Sequence, residues 1–183
     1  ASALPAGVHT ASVTLTGEKG VLLTLPVEFR VDPLKITLLR SDRTGSTVYA
    51  VSEEKPDSQG RAYLLEIDAR AETIKRVVPA GWSVTDLAIH EAEHRLYITN
   101  WLSGVLTAYD KTSLQAVRQY GFNPPGTLDR DVFQLSAGGA GRIVVEEMDQ
   151  WVDVDLIDTA TGARLASAPW PTREGGGAFE ATG

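Results

Sequence analysis

The sequence predicts an all-β chain, a hairpin followed by consecutive four-stranded antiparallel units, and three observations predict it. Residues 10–31 alternate apolar and polar side chains with the two-residue period of strands that turn one face to a core. A strand ending in a hydrophobic residue and an aspartate occurs three times, as Leu65-Glu66-Ile67-Asp68, Thr107-Ala108-Tyr109-Asp110 and Asp155-Leu156-Ile157-Asp158. Each ending has an apolar strand before it and a turn leading into another strand after it.

The hairpin comes first. Val21, Leu23, Leu25, Val27, Phe29 and Val31 point to one side, and Leu22, Thr24, Pro26, Glu28 and Arg30 to the other. Ala11, Val13 and Leu15 alternate in the same way with Thr10, Ser12, Thr14 and Thr16, and Gly17-Glu18-Lys19-Gly20 is short enough to close the pair. Pro26 has no N–H to give a ladder, so its nitrogen is expected at an edge or a bulge. The apolar side is expected to be buried against a partner sheet, because a lone hairpin does not stabilise itself.

The repeat follows. The three aspartates are spaced 42 and 48 residues apart. Before them run Val48-Tyr49-Ala50-Val51, Arg95-Leu96-Tyr97-Ile98-Thr99 and Arg142-Ile143-Val144-Val145; after them run residues 73–78, 114–118 and 162–166. A carboxylate at the end of a strand accepts hydrogen bonds from backbone N–H groups two or three residues on, so each aspartate is expected to hold a tight turn. Internal repetition at this period marks stacked sheets of the propeller type, each covering a face its neighbour cannot hide alone.

The second unit, Val84-Thr85-Asp86-Leu87-Ala88-Ile89-His90, then residues 95–100, 104–110 and 115–117, resembles a blade of the YVTN β-propeller repeat family. Tyr97-Ile98-Thr99-Asn100 is close to the motif that names the family; the other copies read Tyr49-Ala50-Val51-Ser52 and Val144-Val145-Glu146-Glu147. The resemblance covers roughly 150 residues and implies three blades, at about 34–80, 81–124 and 125–172, with residues 175–181 the approach to a fourth. Propellers close with about four to eight blades, so this set is an incomplete propeller. Residues 7–13 and 25–31 resemble the last two strands of a bacterial Ig-like or BACON-type β-sandwich, which implies that residues 1–33 end such a domain at the Asp32-Pro33 junction. The chain is therefore expected to be a piece of a longer protein; the alternative is a short chain whose open edge is covered by a second copy.

Bulk properties narrow the function. At 183 residues the chain is long enough to bury a core, and 43% hydrophobic with 22% charged residues is an ordinary globular balance. A net charge of −7 with no basic run argues against nucleic acid as a partner. There is no cysteine, which removes disulfides, thiolate nucleophiles and cysteine-ligated metals. No apolar stretch reaches the length of a membrane span, and the N-terminus is not that of an intact secretory precursor.

Candidate chemistry is sparse. His90 and His94, four apart, would make a metal pair on a helix, but their context is strand, loop, strand, and the expected structure is an exposed turn at Glu91-Ala92-Glu93. Asp149, Asp153, Asp155 and Asp158 lack the glycine and terminal glutamate of a calcium loop, and Asp153 and Asp155 alternate with valines as on the solvent face of a strand. Gly138-Gly139-Ala140-Gly141 has no following lysine and is expected to be a hairpin, not a phosphate cradle, and no Gly-x-Ser-x-Gly motif occurs. No catalytic residue, metal or cofactor is assigned.

The tryptophans are the informative large residues. Trp82 falls between the first and second units and Trp101 follows the Tyr97–Asn100 strand, on connections that line one mouth of a propeller; Trp151 and Trp170 complete the set. There an indole either packs between blades or stacks on a ligand. Trp82, Asp86, Asn100 and Trp101 are the candidate ligand-binding group. The resemblance implies a non-catalytic binding or scaffold module of a larger bacterial surface or secreted protein, facing a protein or glycan partner. The alternative is part of a propeller enzyme, lactonase-like or quinoprotein-like, with its catalytic groups on blades outside this chain.

Overall fold

The computed structural model of the chain describes residues 7–18, 20–31, 34–53, 61–100, 104–121, 131–139, 141–148 and 153–169. They fall in two compact units, Ala1–Leu34 and Lys35–Gly183.

The first unit is an antiparallel ribbon of β1 (Gly7–Gly17) and β2 (Gly20–Val31). The alternation read from the sequence sets its register: Ala11 opposes Val27, Val13 opposes Leu25 and Leu15 opposes Leu23, while Thr10 meets Glu28 and Thr14 meets Thr24 on the other side. The ladder passes Pro26, opposite Ser12, without a break, and the bulge lies at Leu15/Thr16 instead. Gly20 closes the hairpin with φ +111°, a conformation open to glycine. The expected burial is not found. Val13, Leu15, Leu23, Leu25 and Val27 are exposed, because a two-stranded ribbon has no second layer of its own.

The second unit contains three four-stranded antiparallel sheets, each with its strands in chain order. The first blade is β3 (Ile36–Ser41), β4 (Thr47–Glu53), β5 (Arg61–Asp68) and β6 (Thr73–Trp82). The second is β7 (Val84–His90), β8 (Arg95–Asn100), β9 (Val105–Asp110) and β10 (Ala116–Gly121). The third is β11 (Asp131–Ala137), β12 (Arg142–Met148), β13 (Asp153–Asp158) and β14 (Arg164–Pro169). The sheets stay open and stack on one another, as consecutive propeller-type blades do.

Two apolar layers hold the stack. Tyr49, Val51 and Leu64 of the first blade pack with Leu87, Leu96, Ile98 and Tyr109 of the second. Tyr97, Leu106, Ala108 and Tyr120 of the second blade pack with Leu135, Ile143, Val145 and Ile157 of the third. Leu96 and Ile98 of β8 therefore face the first blade and Tyr97 the third, and β8 reads as a nearly continuous apolar run because both of its faces are covered.

The turn aspartates do what their position predicts. Asp68 accepts the N–H groups of Arg70 and Ala71, both at 3.0 Å, Asp110 those of Thr112 and Ser113 at 3.1 and 2.7 Å, and Asp158 that of Thr161 at 2.6 Å. These bonds hold all three carboxyls below their ordinary range, led by the Ala71 N–H for Asp68, the Ser113 N–H for Asp110 and the Thr161 hydroxyl for Asp158. The fourth residue after each aspartate is left-handed: Glu72 at φ 54°, Leu114 at 55° and Gly162 at 79°. Only the third repeat places a glycine there.

The same turns clasp the blades together. Arg76, eight residues after Asp68, donates to the carbonyl of Thr112, two residues after Asp110. Arg118, eight residues after Asp110, donates in the same way to the carbonyl of Ala160, two residues after Asp158. Beside these bonds the Tyr49 hydroxyl donates to the Lys111 carbonyl at 3.4 Å and the Tyr120 hydroxyl to the Thr159 carbonyl at 2.6 Å. Lys111 extends its ammonium to Asp42 of the first blade at 2.9 Å and to Glu91, and Thr159 donates its hydroxyl to Glu93.

One polar expectation is corrected, and the turn expected at Glu91–Glu93 is found beside a buried histidine. Asp155 is not on a solvent face. It is fully buried on the side of β13 that meets the second blade, 2.6 Å from Arg164 Nε, because strict alternation marks a solvent face only in a sheet covered on one side. The Glu91–Glu93 segment is a 3-10 turn ending in left-handed His94, yet His90 is buried, with Nε2 donating to the Arg142 carbonyl at 3.0 Å, while His94 Nε2 pairs with the Thr112 hydroxyl at 3.2 Å. The two imidazoles serve different contacts. Among the described residues no group of three or more His, Asp or Glu side chains is placed to hold a metal ion.

Candidate functional site

Trp82 ends β6, the outermost strand of the first blade, directly before the connection to the second blade. It is 51% exposed. The register pairs it with Arg61 at the start of β5, and the guanidinium carbon lies 5.8 Å from the indole centroid, within cation–π range. An aromatic face with a cation at its side can stack a planar or sugar ring and meet an acidic or hydroxyl-rich edge.

The backbone under Trp82 is anchored from the second blade. Its N–H donates to Asn100 Oδ1 at 2.9 Å, and Asn100 is buried at the end of β8. Asn100 comes this close because residue 81 is glycine: at φ 93° Gly81 has no Cβ, and a Cβ there would run into the Asn100 amide. The next connection residue is fixed as well. Ser83 is left-handed at φ 49°, and the Val84 N–H donates to Glu53 Oε1 at 2.8 Å. Burial pushes the Glu53 carboxyl above its ordinary range, and the Val84 bond offsets this only in part.

Asp86 lies further inward on β7, buried. Its Oδ1 accepts from Arg40 Nη2 of the first blade at 2.8 Å and from the Leu87 N–H at 2.8 Å; its Oδ2 accepts from the Leu135 N–H of the third blade at 2.8 Å. Burial raises its carboxyl above the usual range, and these bonds pull the other way. Both oxygens are engaged by protein groups, so in this arrangement Asp86 ties three blades together behind the surface. The Asp86 N–H donates to the Thr99 hydroxyl at 2.7 Å, which sets Asp86 beside the residue preceding Asn100.

Of the four candidate residues, Trp82 and Asn100 are therefore brought together, Asp86 stands behind them, and Trp101 lies outside the described residues. Arg61, Gly81 and Glu53 were not singled out from the sequence. The Gly81-Trp82 pair at a strand end was the available signal for Gly81; Arg61 and Glu53 flank residues 54–60, and nothing in their local sequence announces the contacts they make.

No protein-family model and no curated protein sequence matches the chain. Solved structures do. A structure of RRP9 WD40 repeats is 15% identical with a TM-score of 0.55, over 75% of this chain and 39% of that one. BamB from Moraxella catarrhalis is 18% identical at a TM-score of 0.55, over 87% and 50%. Kuenenia stuttgartiensis hydrazine synthase is 14% identical at 0.60, over 87% and 43%. The chain thus has the fold of consecutive β-propeller blades. It spans half or less of the length of each of these relatives. No helix of the described residues is long and apolar enough to cross a membrane.

Proposed function

We propose that the chain belongs to a non-catalytic binding or scaffold module of a larger bacterial surface or secreted protein, and that its propeller mouth receives a protein or glycan partner. The observation that carries this reading is Trp82, a large aromatic left half exposed while its backbone is pinned by Asn100 and its ring is flanked by Arg61. Asn100 and Asp86 support the platform from behind, and Trp101 is the proposed companion contact. The first unit is read as the closing strands of an Ig-like sandwich in the same parent protein. The remaining blades come from that parent or from a second copy.

A specific observation favours a second reading. Hydrazine synthase and a europium-containing methanol dehydrogenase are also among the similar structures, which supports a propeller enzyme whose catalytic groups lie on other blades.

The test of the first reading uses labelled chain on an oligosaccharide array, with a photoreactive amino acid at exposed position 79, in chains with and without Trp82→Ala, as a second arm in producing cells. Retention by a defined glycan or a single crosslinked protein, lost in Trp82→Ala, is expected. Equal signals from Trp82→Ala and the unaltered chain in both arms would refute the assignment.

A further inference from the structure

Arg61 is a cation without an acid. The chain carries a net charge of −7, and Arg40, Arg76, Arg95 and Arg164 each lie against a carboxylate, on Asp86, Glu66, Glu93 and Asp155. Arg61 is exposed, and among the described residues its guanidinium has no hydrogen-bond or ion-pair partner. Glu53, a carboxylate on the adjoining strand, opposes Ala62 and not Arg61, so it lies on the other face of the sheet, and its Oε1 is taken by the Val84 N–H.

Trp82 lies directly across from Arg61, and the two share a face at one end of the first blade. A guanidinium stacked on a ring sits about 3.5–4.0 Å from its atoms. Arg61 Cζ, 5.8 Å from the indole centroid, stands off the ring, which leaves the indole half exposed and the fork of N–H donors open. The backbone on either side of the indole is already held, by Asn100 at the Trp82 N–H and by Glu53 at the Val84 N–H. The platform is therefore set before a ligand arrives, which lowers the cost of binding.

Two chemical demands follow for that ligand. The indole face suits the C–H face of a pyranose ring, and the open guanidinium fork suits a planar anion that accepts two parallel N–H bonds, a carboxylate. A protein partner would need the indole set among apolar groups that shut out water, whereas its neighbours here are Arg61, Gly81 and Ser83. We propose that the ligand of Trp82 is an acidic glycan, a sugar ring stacked on the indole with its carboxylate on the Arg61 guanidinium. This rests on the binding reading of Trp82 and adds the chemistry of the ligand.

Titration calorimetry of the full chain with oligomers of galacturonate, glucuronate and mannuronate, with their methyl esters, and with polyglutamate separates the two halves of the site. The esters keep the ring and lose the charge; polyglutamate keeps the charge and has no ring. One of the uronates is expected to bind at least about tenfold more tightly than its ester. That gap should close in Arg61→Ala and reopen in part in Arg61→Lys, which keeps the charge without the fork. Trp82→Ala should weaken acid and ester alike. Both side chains are exposed, so an unchanged urea midpoint in each variant assigns the loss to binding. Equal affinity for acid and ester overturns the proposal while leaving Trp82 as a sugar platform. Polyglutamate binding as tight as that of the uronate, or no binding of any uronate, overturns it as well. Uronate binding unaffected by Trp82→Ala overturns the proposal and the platform together.

Discussion

Replacing Asp86 by alanine removes a carboxylate that touches all three blades. The Leu135 N–H loses an acceptor at 2.8 Å in a buried setting, and the Leu87 N–H loses another. Each unsatisfied buried donor costs about 1–3 kcal/mol. Arg40 keeps 47% of its side chain exposed and can return to water, so its share is small. Against these losses stands the cost of holding the charge in a buried place, which the raised Asp86 carboxyl records. The balance is a loss of roughly 3 kcal/mol for Asp86→Ala, a large part of the ~5–15 kcal/mol that holds a typical domain. Asp86→Asn keeps the size and one acceptor oxygen, and should lose about half as much. Urea unfolding measures the total, and amide exchange at Leu135 locates it. A change under about 0.5 kcal/mol in Asp86→Ala, within the range of ordinary surface substitutions, or unaltered exchange at Leu135, would refute the three-blade tie.

Lys111→Ala strands Asp42, whose carboxyl is held well below the ordinary range although burial alone would raise it, by bonds from Thr44 and from Lys111 itself. A loss of roughly 2–4 kcal/mol is expected, less than for a fully enclosed pair because Glu91 is a third exposed, and Asp42→Asn in the same chain should recover part of it in a double-mutant cycle. Glu72→Gly should raise the urea midpoint by the equivalent of about 0.5–1 kcal/mol, because Glu72 is exposed at φ 54° and makes no demand on its side chain there. Gly162→Ala should lower it, since its Cβ would also crowd the Tyr120 ring at 3.1 Å. Acid acts in two opposite senses. Asp42, Asp68, Asp110 and Asp158 are lowered by folding, so their contribution is present above the ordinary value of 3.8 and is lost as pH falls through their folded values. Glu53, Asp86 and Glu146 are raised by burial, so theirs is full at low pH and lost as pH rises through their folded values. The urea midpoint should therefore peak between pH 3.8 and neutrality; a midpoint climbing steadily to pH 7 contradicts the burial of those three groups.

The blades were legible because the repeated aspartate is a local device: its oxygens bond to N–H groups two and three residues away, and that bonding needs no neighbour. The same locality made the hairpin register legible, from alternation alone. What lay beyond reading was every feature that depends on which sheet covers which face. Asp155 alternates like a solvent residue and is sealed by the second blade; Val13 and Leu25 alternate like core and are exposed. Asp86 was legible as a notable residue but not as a tie, since its partners Arg40 and Leu135 lie 46 and 49 residues away. Trp82 and Asn100 were legible as a pair only through the resemblance to a repeat family; the amide that joins them is permitted by Gly81, whose role appears only in three dimensions.

The two rims of the stack have different work, and Gly81→Ala tests the division. The aspartate turns, the Lys111 triad and both arginine clasps sit where β9 turns to β10, β13 to β14, and β3 and β7 to their partners, so these clasps gather at one end of the strands, while the Asp86 tie lies within β7. Trp82, Asn100 and Gly81 sit at the opposite ends, where β6 passes to β7 and β8 stops. A Cβ at residue 81 pushes the Asn100 amide off the Trp82 N–H and adds strain at φ 93°, so the indole should lose its fixed setting while the clasps stay intact. Tryptophan fluorescence anisotropy of a variant retaining only Trp82 should fall in Gly81→Ala, whereas amide exchange in the 111–115 and 159–163 turns should not change. Faster exchange in those turns would mean that the two rims are one cooperative unit, and that the platform has no mechanical independence from the stack that carries it.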